Sequence, residues 1–370
     1  MAIRLFVGLF IVFFSCSSEG KREPITAELF SLNDFYETNK ALDDKVNTVF
    51  DDLDAKGRIS QMIVVAAGTT GKPTRVVDKL ILNQAVGGVL MLSGEKDHII
   101  SLVHRFDSLS MNYGNVPLIY SSDAEPSLIN RKIKGTQKVP RTIELETINA
   151  CDSVSKIISH ELLSMGINHN YAPVVDLSPN NEAITNRTFG NDRAEVIKLA
   201  STFIRTSQQS GIIATAKHFP GHGLVSGDTH NQLVTIDGEM KELKNYIPLI
   251  DQGVLSIMVG HIAIMNNDRF HTDGLPSSCS RIIVTDLLKN ELGFKGIVIT
   301  DAMNMGALRK IEKASLKAIE AGCDMILMEP NEMDLIEDVF TKYQEDASFK
   351  VQIDASVKKI LRLKACLNLL

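Results

Sequence analysis

The chain lacks any run of basic residues, and its formal charge is −6 over 370 residues. Without a basic stripe there is little to neutralise phosphates, so nucleic acid is excluded as a partner. None of its five cysteines forms a CxxC pair. That spacing excludes a thiolate metal knuckle and the disulfide framework of a small secreted domain. Cys151, Cys279, Cys323 and Cys366 lie far apart and read as buried free thiols, with one disulfide in an oxidising compartment left open. Low-complexity segments are absent, and no Gly-rich dinucleotide fingerprint follows the first predicted strand. The latter absence counts against a doubly wound nucleotide-binding sheet.

What is present begins with an unusual start. Arg4 precedes the apolar run Leu5–Phe14, and Ser15-Cys16 follows. Ten apolar residues are too few to span a bilayer as a helix but match the core of a signal peptide. A small residue followed by cysteine resembles a bacterial lipoprotein cleavage site, with Cys16 as the acylated residue. The expectation is a signal peptide over 1–15, a tether and lead-in over 16–41, and a lipid-anchored protein in a bacterial cell envelope. An ordinary signal peptide or an uncleaved anchor is the alternative. Beyond it, 44% hydrophobic and 23% charged residues fit a globular chain with a sizeable core.

From residue 42 onward, short apolar runs alternate with amphipathic stretches. The runs Met62–Ala67, Gly88–Leu92, Pro117–Ser121, Pro173–Val175, Ile212–Ala216, Ser256–Val259, Gly296–Thr300 and Met325–Met328 read as eight strands. Helical patterns separate them, among them Lys96–Met111, Arg193–Ser210, Glu239–Asp251, Ser280–Leu292 and Gly306–Ala321. Strand–helix alternation predicts a parallel sheet, since parallel strands need crossover connections. Continuous apolar strands predict that both faces of that sheet are covered. The predicted fold class is α/β, a single (β/α)8 TIM-type barrel over 42–370, with an open doubly wound sheet as its rival. The last helical pattern reaches the chain's end, so no second domain is expected after the barrel.

The polar residues favour the barrel. Asp123, Asp176, Lys217-His218, His261 and Asp301 each directly follow an apolar run. In a (β/α)8 barrel that is where chemistry sits. A helix N-cap is the alternative for any one of the three aspartates. Residues 212–230, IIATAKHFPGHGLVSGDTH, are the densest case. Lys and His at the end of a buried strand are costly to desolvate, so they need partners or a task.

These residues resemble a known family. KHFPGHG at Lys217–Gly223, with DTH at Asp228–His230, resembles glycoside hydrolase family 3 and, within it, the β-N-acetylglucosaminidase (NagZ-type) branch. NHNYAPVVDLSPNNEAITNRTFGND at Asn168–Asp192 and ELGFKGIVITDAMNMGAL at Glu291–Leu308 resemble two further family blocks. VGGVLML at Val86–Leu92 and AGCDMILM at Ala321–Met328 fit its barrel strands. The resemblance implies a retaining exo-acting glycosidase that needs no cofactor and takes terminal β-linked N-acetylglucosamine from peptidoglycan fragments or other glycans. It implies Asp301 as nucleophile, and His230 oriented by Asp228 as acid/base in place of the usual second carboxylic acid. It implies sugar contacts from Asp123, Arg131, Arg187, Lys217 and His218. His222, between two glycines, reads as a structural brace for the loop, and Ser226-Gly227 predict that the loop is mobile.

The chain departs from the family at one place. The usual Gly-Gly-Arg after the Asp123 motif is replaced by Pro126-Ser127-Leu128, while Asp123, Glu125 and Arg131 are kept. Proline removes an N–H and fixes φ, so the loop beside the sugar must differ. Three rivals remain. A metal site at His218, His222 and His230 runs against Pro220 and Gly221, which break the helix that ligands four apart need. A family β-glucosidase or β-xylosidase runs against the Asp228–His230 loop. A non-catalytic sugar-binding barrel runs against the presence of all three catalytic candidates.

Overall fold

The computed structural model describes residues 29–370 except 179, 180, 182, 183 and 185. The predicted signal peptide, Cys16 and the tether up to residue 28 lie outside the described residues. Eight parallel strands form the barrel: β1 (Ile63–Gly68), β2 (Gly88–Glu95), β3 (Ile119–Ser122), β4 (His169–Asn170), β5 (Ile213–Phe219), β6 (Ser256–Val259), β7 (Ile297–Thr300) and β8 (Ile326–Leu327). Each pairs with its successor in the chain, from β1 to β7. Ile63 opposite Ile326 joins β8 to β1, and an Ile299–Met325 bridge joins β7 to β8. Apart from the C-terminal ends of β1 and β2, the strands are buried because they face side chains inside and helices outside. The doubly wound alternative is thereby overturned.

Two predicted elements sit differently. The fourth strand was expected at Pro173–Val175, but the ladder runs through His169 and Asn170, which pair with Ser121–Ser122 and Ile213–Ala214. Pro173 has no N–H to donate, so regular pairing stops before it and resumes only as a Val174–Lys217 bridge. The predicted helix Glu239–Asp251 is a 3₁₀ turn, Lys241–Asn245, followed by an α-helix, Tyr246–Asp251. Pro248 cannot supply the hydrogen bond that would join the two.

Several pieces sit above the C-terminal ends of the strands. Ile133–Lys134 pairs beside Gly94–Glu95, and Val234–Asp237 pairs in parallel with Ile262–Met265. The predicted helix Gly306–Ala321 is split into a 3₁₀ turn, Gly306–Leu308, and an α-helix, Ala314–Ala321. At the opposite end, the described lead-in packs on the last helix, Ala347–Cys366. Asn368 exchanges two hydrogen bonds with the Phe30 backbone, at 3.1 and 2.8 Å. Near the same end the fully buried Asp324 is held by Lys289 at 3.0 Å, Lys359 at 2.5 Å and Ser356 at 2.7 Å. Burial would raise its pKa, but the two ammonium groups outweigh it and hold it at about 2.

Candidate active site

The ends of β3 and β5 meet in a buried ion cluster. Lys217 Nζ lies 2.5 Å from Asp123 Oδ1 and 2.6 Å from Glu125 Oε1. Arg187 grips Glu125 with two N–H donors, at 2.7 and 2.9 Å. Lys132 pairs with the second oxygen of Asp123. Burial alone would raise Asp123, yet Lys132, Lys217 and Arg187 hold its carboxyl well below the usual range. Lys217 is desolvated, which would lower it, but Asp123 and Glu125 raise it and keep it charged. The desolvation problem posed by a lysine at a strand end is solved by two carboxylates. The result is a rigid set of donors and acceptors suited to several neighbouring hydroxyls.

His218 is braced from the other side. Its Nδ1 lies 2.7 Å from Asp176 Oδ2, and Asp176 also accepts the backbone N–H of His218 and of His222. Neither Asp123 nor Asp176 caps a helix, so the N-cap reading fails for both. His222 Nε2 lies 3.0 Å from Thr229 Oγ1, which ties the two halves of the loop together. Its bracing role, expected from position alone, has this contact behind it. Burial, together with neighbouring His218, lowers His222, so the ring is neutral near pH 7.

A further buried acidic side chain, Glu242, accepts N–H groups from Leu177 at 2.5 Å and Leu224 at 3.1 Å. Burial and the nearby Asp176 push it up to about 8. A Cβ on Gly221 would collide with that of Glu242, and one on Gly223 would overlap the Leu177 carbonyl. Both glycines are therefore space requirements of the loop.

Asp301 follows β7 directly. Its backbone N–H binds the Val259 carbonyl, and its Oδ1 accepts the Ala302 N–H at 2.8 Å. Burial would raise its carboxyl, but His218, His261, the Ala302 N–H and Lys217 together hold it below the usual carboxylate range. His261 Nδ1 meets Ser278 Oγ at 2.8 Å and its Nε2 meets the Ala302 carbonyl at 3.0 Å, so it supports the loop of Asp301. On the loop above, His230 Nδ1 lies 2.6 Å from Asp228 Oδ1. The His230 side chain is 63% exposed, at the rim. A carboxylate on Nδ1 leaves Nε2 as the nitrogen free to exchange a proton.

These groups share one cavity of about 240 Å³, a size suited to one sugar ring. Asp123, Lys132, Arg187, Lys217, His218, His230 and Asp301 line it, with Tyr171, Met258 and Leu327 among the apolar walls. Asp228 stands behind His230. Arg131 is the predicted contact that the structure does not bring in: it is exposed and outside the lining. Both residues lie on the single turn Ile129–Lys132, where neighbours point about 100° apart, and it is Lys132 that faces Asp123. Reading by alignment with the family missed this, because the loop before the turn is the segment that departs. There Ser127 donates to the Asn186 carbonyl and accepts from Thr142 N at 2.9 Å, while Leu128 is buried. The replaced triplet thus fastens the segment carrying Arg187. Glu242 was also missed; its only signal in the sequence is a charge at the edge of an amphipathic stretch. Among the described residues no group of three or more His, Cys, Asp or Glu has the geometry to hold a metal ion.

The described chemistry has counterparts among known proteins. The family profile "Glycosyl hydrolase family 3 N terminal domain" matches residues 53–363. A "beta-N-acetylglucosaminidase/beta-glucosidase" from Cellulomonas fimi is 30% identical over 303 residues, covering 77% of this chain and 53% of that protein. A "beta-hexosaminidase" from Glaesserella parasuis is 31% identical over 258 residues, covering 66% of this chain and 74% of its own length. Among solved structures, a glycoside hydrolase family 3 β-N-acetylglucosaminidase from Paenibacillus sp. superposes with a TM-score of 0.78 at 27% identity, over 86% of this chain and 63% of that one. The chain therefore spans about half the length of the first relative and about three quarters of the second.

Proposed function

The chain belongs to glycosyl hydrolase family 3, and from that premise we propose that it is a retaining exo-β-N-acetylglucosaminidase acting on peptidoglycan fragments or other glycans ending in β-linked N-acetylglucosamine. The observation that supports this most is the shared cavity. An ionised, half-buried Asp301 and an Asp228-oriented His230 line one sugar-sized space. In the first step an Asp301 oxygen forms a bond to the anomeric carbon as the bond to the leaving oxygen breaks, and His230 gives that oxygen its proton. In the second step His230 takes a proton from water, the water oxygen attacks the same carbon, and Asp301 leaves. Two inversions retain the β configuration. Asp123, Lys132, Lys217, Arg187 and His218 hold the hydroxyls, and their mutual ion pairs keep them fixed before substrate arrives. An imidazole can give a proton and take one back, so one side chain serves both transfers. A panel of nitrophenyl β-glycosides tests the reading. The N-acetylglucosaminide is expected to be turned over with the highest kcat/KM and to release the β-anomer; preference for the glucoside or xyloside, or release of the α-anomer, contradicts it.

We further propose that the protein is carried on the bacterial cell envelope by a lipid on Cys16. The apolar run ending in Ser15-Cys16 supports this. Fractionation of expressing cells is expected to find wild type with membranes and Cys16→Ala in the soluble fraction. Equal partition of the two removes the anchor.

A further inference from the structure

The two catalytic candidates sit on different loops, and the structure joins those loops at Gly306 and Ala307. Gly306 lies five residues after Asp301 and opens the 3₁₀ turn Gly306–Leu308. The first N–H groups of a helical turn have no partner inside it. Here they are taken by the loop above: Gly306 N–H donates to the His230 carbonyl at 3.0 Å, and Ala307 N–H to the Thr229 carbonyl at 3.2 Å. The approach leaves no room for a side chain. A Cβ on Gly306 would stand 2.5 Å from the Asn231 carbonyl oxygen and 2.6 Å from that of His230. Both are backbone atoms, which cannot swing aside as a flexible side chain could. Gly306 is also outside the left-handed region, so its backbone conformation does not require glycine. Space for the loop is what it supplies.

The other attachments of this loop lie on its far side. His222 reaches Thr229, and Asn181 donates to the carbonyls of His222 and Val225 at 2.9 and 2.8 Å. Those contacts hold the loop to itself and to the segment that follows β4. Among the hydrogen bonds of the described residues, those of Gly306 and Ala307 tie it to the segment that carries Asp301.

We propose that Gly306 is a positioning residue for His230: its missing side chain lets the acid/base loop dock on the nucleophile's own loop, which sets the distance between the two reacting groups. This rests on the reading of Asp301 and His230 given above. A methyl group at 306 pushes the Thr229–Asn231 backbone outward and His230 with it, while Asp301 stays fixed by β7. Proton transfer is then impaired, and attack by Asp301 is not.

The test is Gly306→Ala in the full chain. On an unactivated substrate, such as a β-1,4-linked N-acetylglucosamine disaccharide, kcat/KM is expected to fall about 10²-fold, the scale of general acid catalysis. On the dinitrophenyl glycoside, whose leaving oxygen needs no proton, kcat/KM is expected to stay within about threefold of wild type. Azide, a nucleophile that needs no base, is expected to raise the variant's kcat on the dinitrophenyl glycoside and to give β-glycosyl azide. Equal losses on both substrates, or no loss on either, overturn the proposal. Amide hydrogen exchange reads the docking without any substrate. The backbone N–H groups at positions 306 and 307 are expected to be protected in wild type and to exchange freely in the variant; unchanged protection also overturns it. If wild type cleaves neither glycoside, the glycosidase reading fails, while the exchange result still decides the docking.

Discussion

Asp301→Ala is expected to lower kcat on the N-acetylglucosaminide by on the order of 10⁵-fold, the scale on which losing a covalent nucleophile acts. The magnitude follows from what the residue is asked to do. It is the carboxylate that lines the cavity without being committed to a lysine or arginine, as Asp123 and Glu125 are. Its backbone follows β7 and is fixed to the Val259 carbonyl at the end of β6. Azide should rescue the variant, and the product discriminates. Without Asp301 a single displacement inverts the centre and yields the α-glycosyl azide, whereas wild type yields the β product. Retention of more than a tenth of wild-type activity would remove Asp301 as nucleophile. The acid limb of the wild-type profile adds a second check. The nucleophile must be deprotonated, and its carboxyl is held below the usual carboxylate range, so the acid limb of kcat/KM should break at a lower pH than an unperturbed carboxylate would give.

The barrel was legible in the chain because each strand is a short apolar run flanked by an amphipathic stretch, and period alone separates the two. The fourth strand was misplaced by a few residues for a reason that the sequence held: Pro173 cannot donate to a ladder. The site was legible where it is local. Lys217-His218 and the Asp228–His230 pair are neighbours in the chain, so spacing alone brings them together. Pairings across the barrel were not legible. Glu125 meets Arg187 from 62 residues away, and Glu242 meets Leu177 from 65 residues away. Nothing in one sequence ties such positions together. Arg131 and Lys132 show a third limit. Which of two adjacent cations faces inward depends on the rotation of one turn, and that turn follows a loop unlike the family's. Gly306 is a fourth: a glycine needed for room looks in sequence like any other.

Glu125 joins fold and site most tightly, and its loss should be felt in both. The side chain is buried between Lys217 and Arg187, at 2.6 and 2.7 Å. Lys217 cannot turn to water, because its Nζ is also held by Asp123 and its side chain is buried. Glu125→Ala therefore leaves a buried lysine and a half-buried arginine with one carboxylate fewer. Removing one partner of a buried pair costs about 3–5 kcal/mol, far more than the intact pair is worth relative to apolar packing. The midpoint of chemical denaturation should fall accordingly, with an unchanged slope. Glu125→Gln keeps acceptor and shape but not charge, and should lie between wild type and Ala. Activity should fall with the same order, through KM as well as kcat, because Lys217 and Arg187 then lose the geometry that positions the sugar. A Glu125→Ala protein with wild-type midpoint and KM would mean that Asp123 alone satisfies Lys217, and that the Arg187–Glu125 pair is not what holds the cavity's shape.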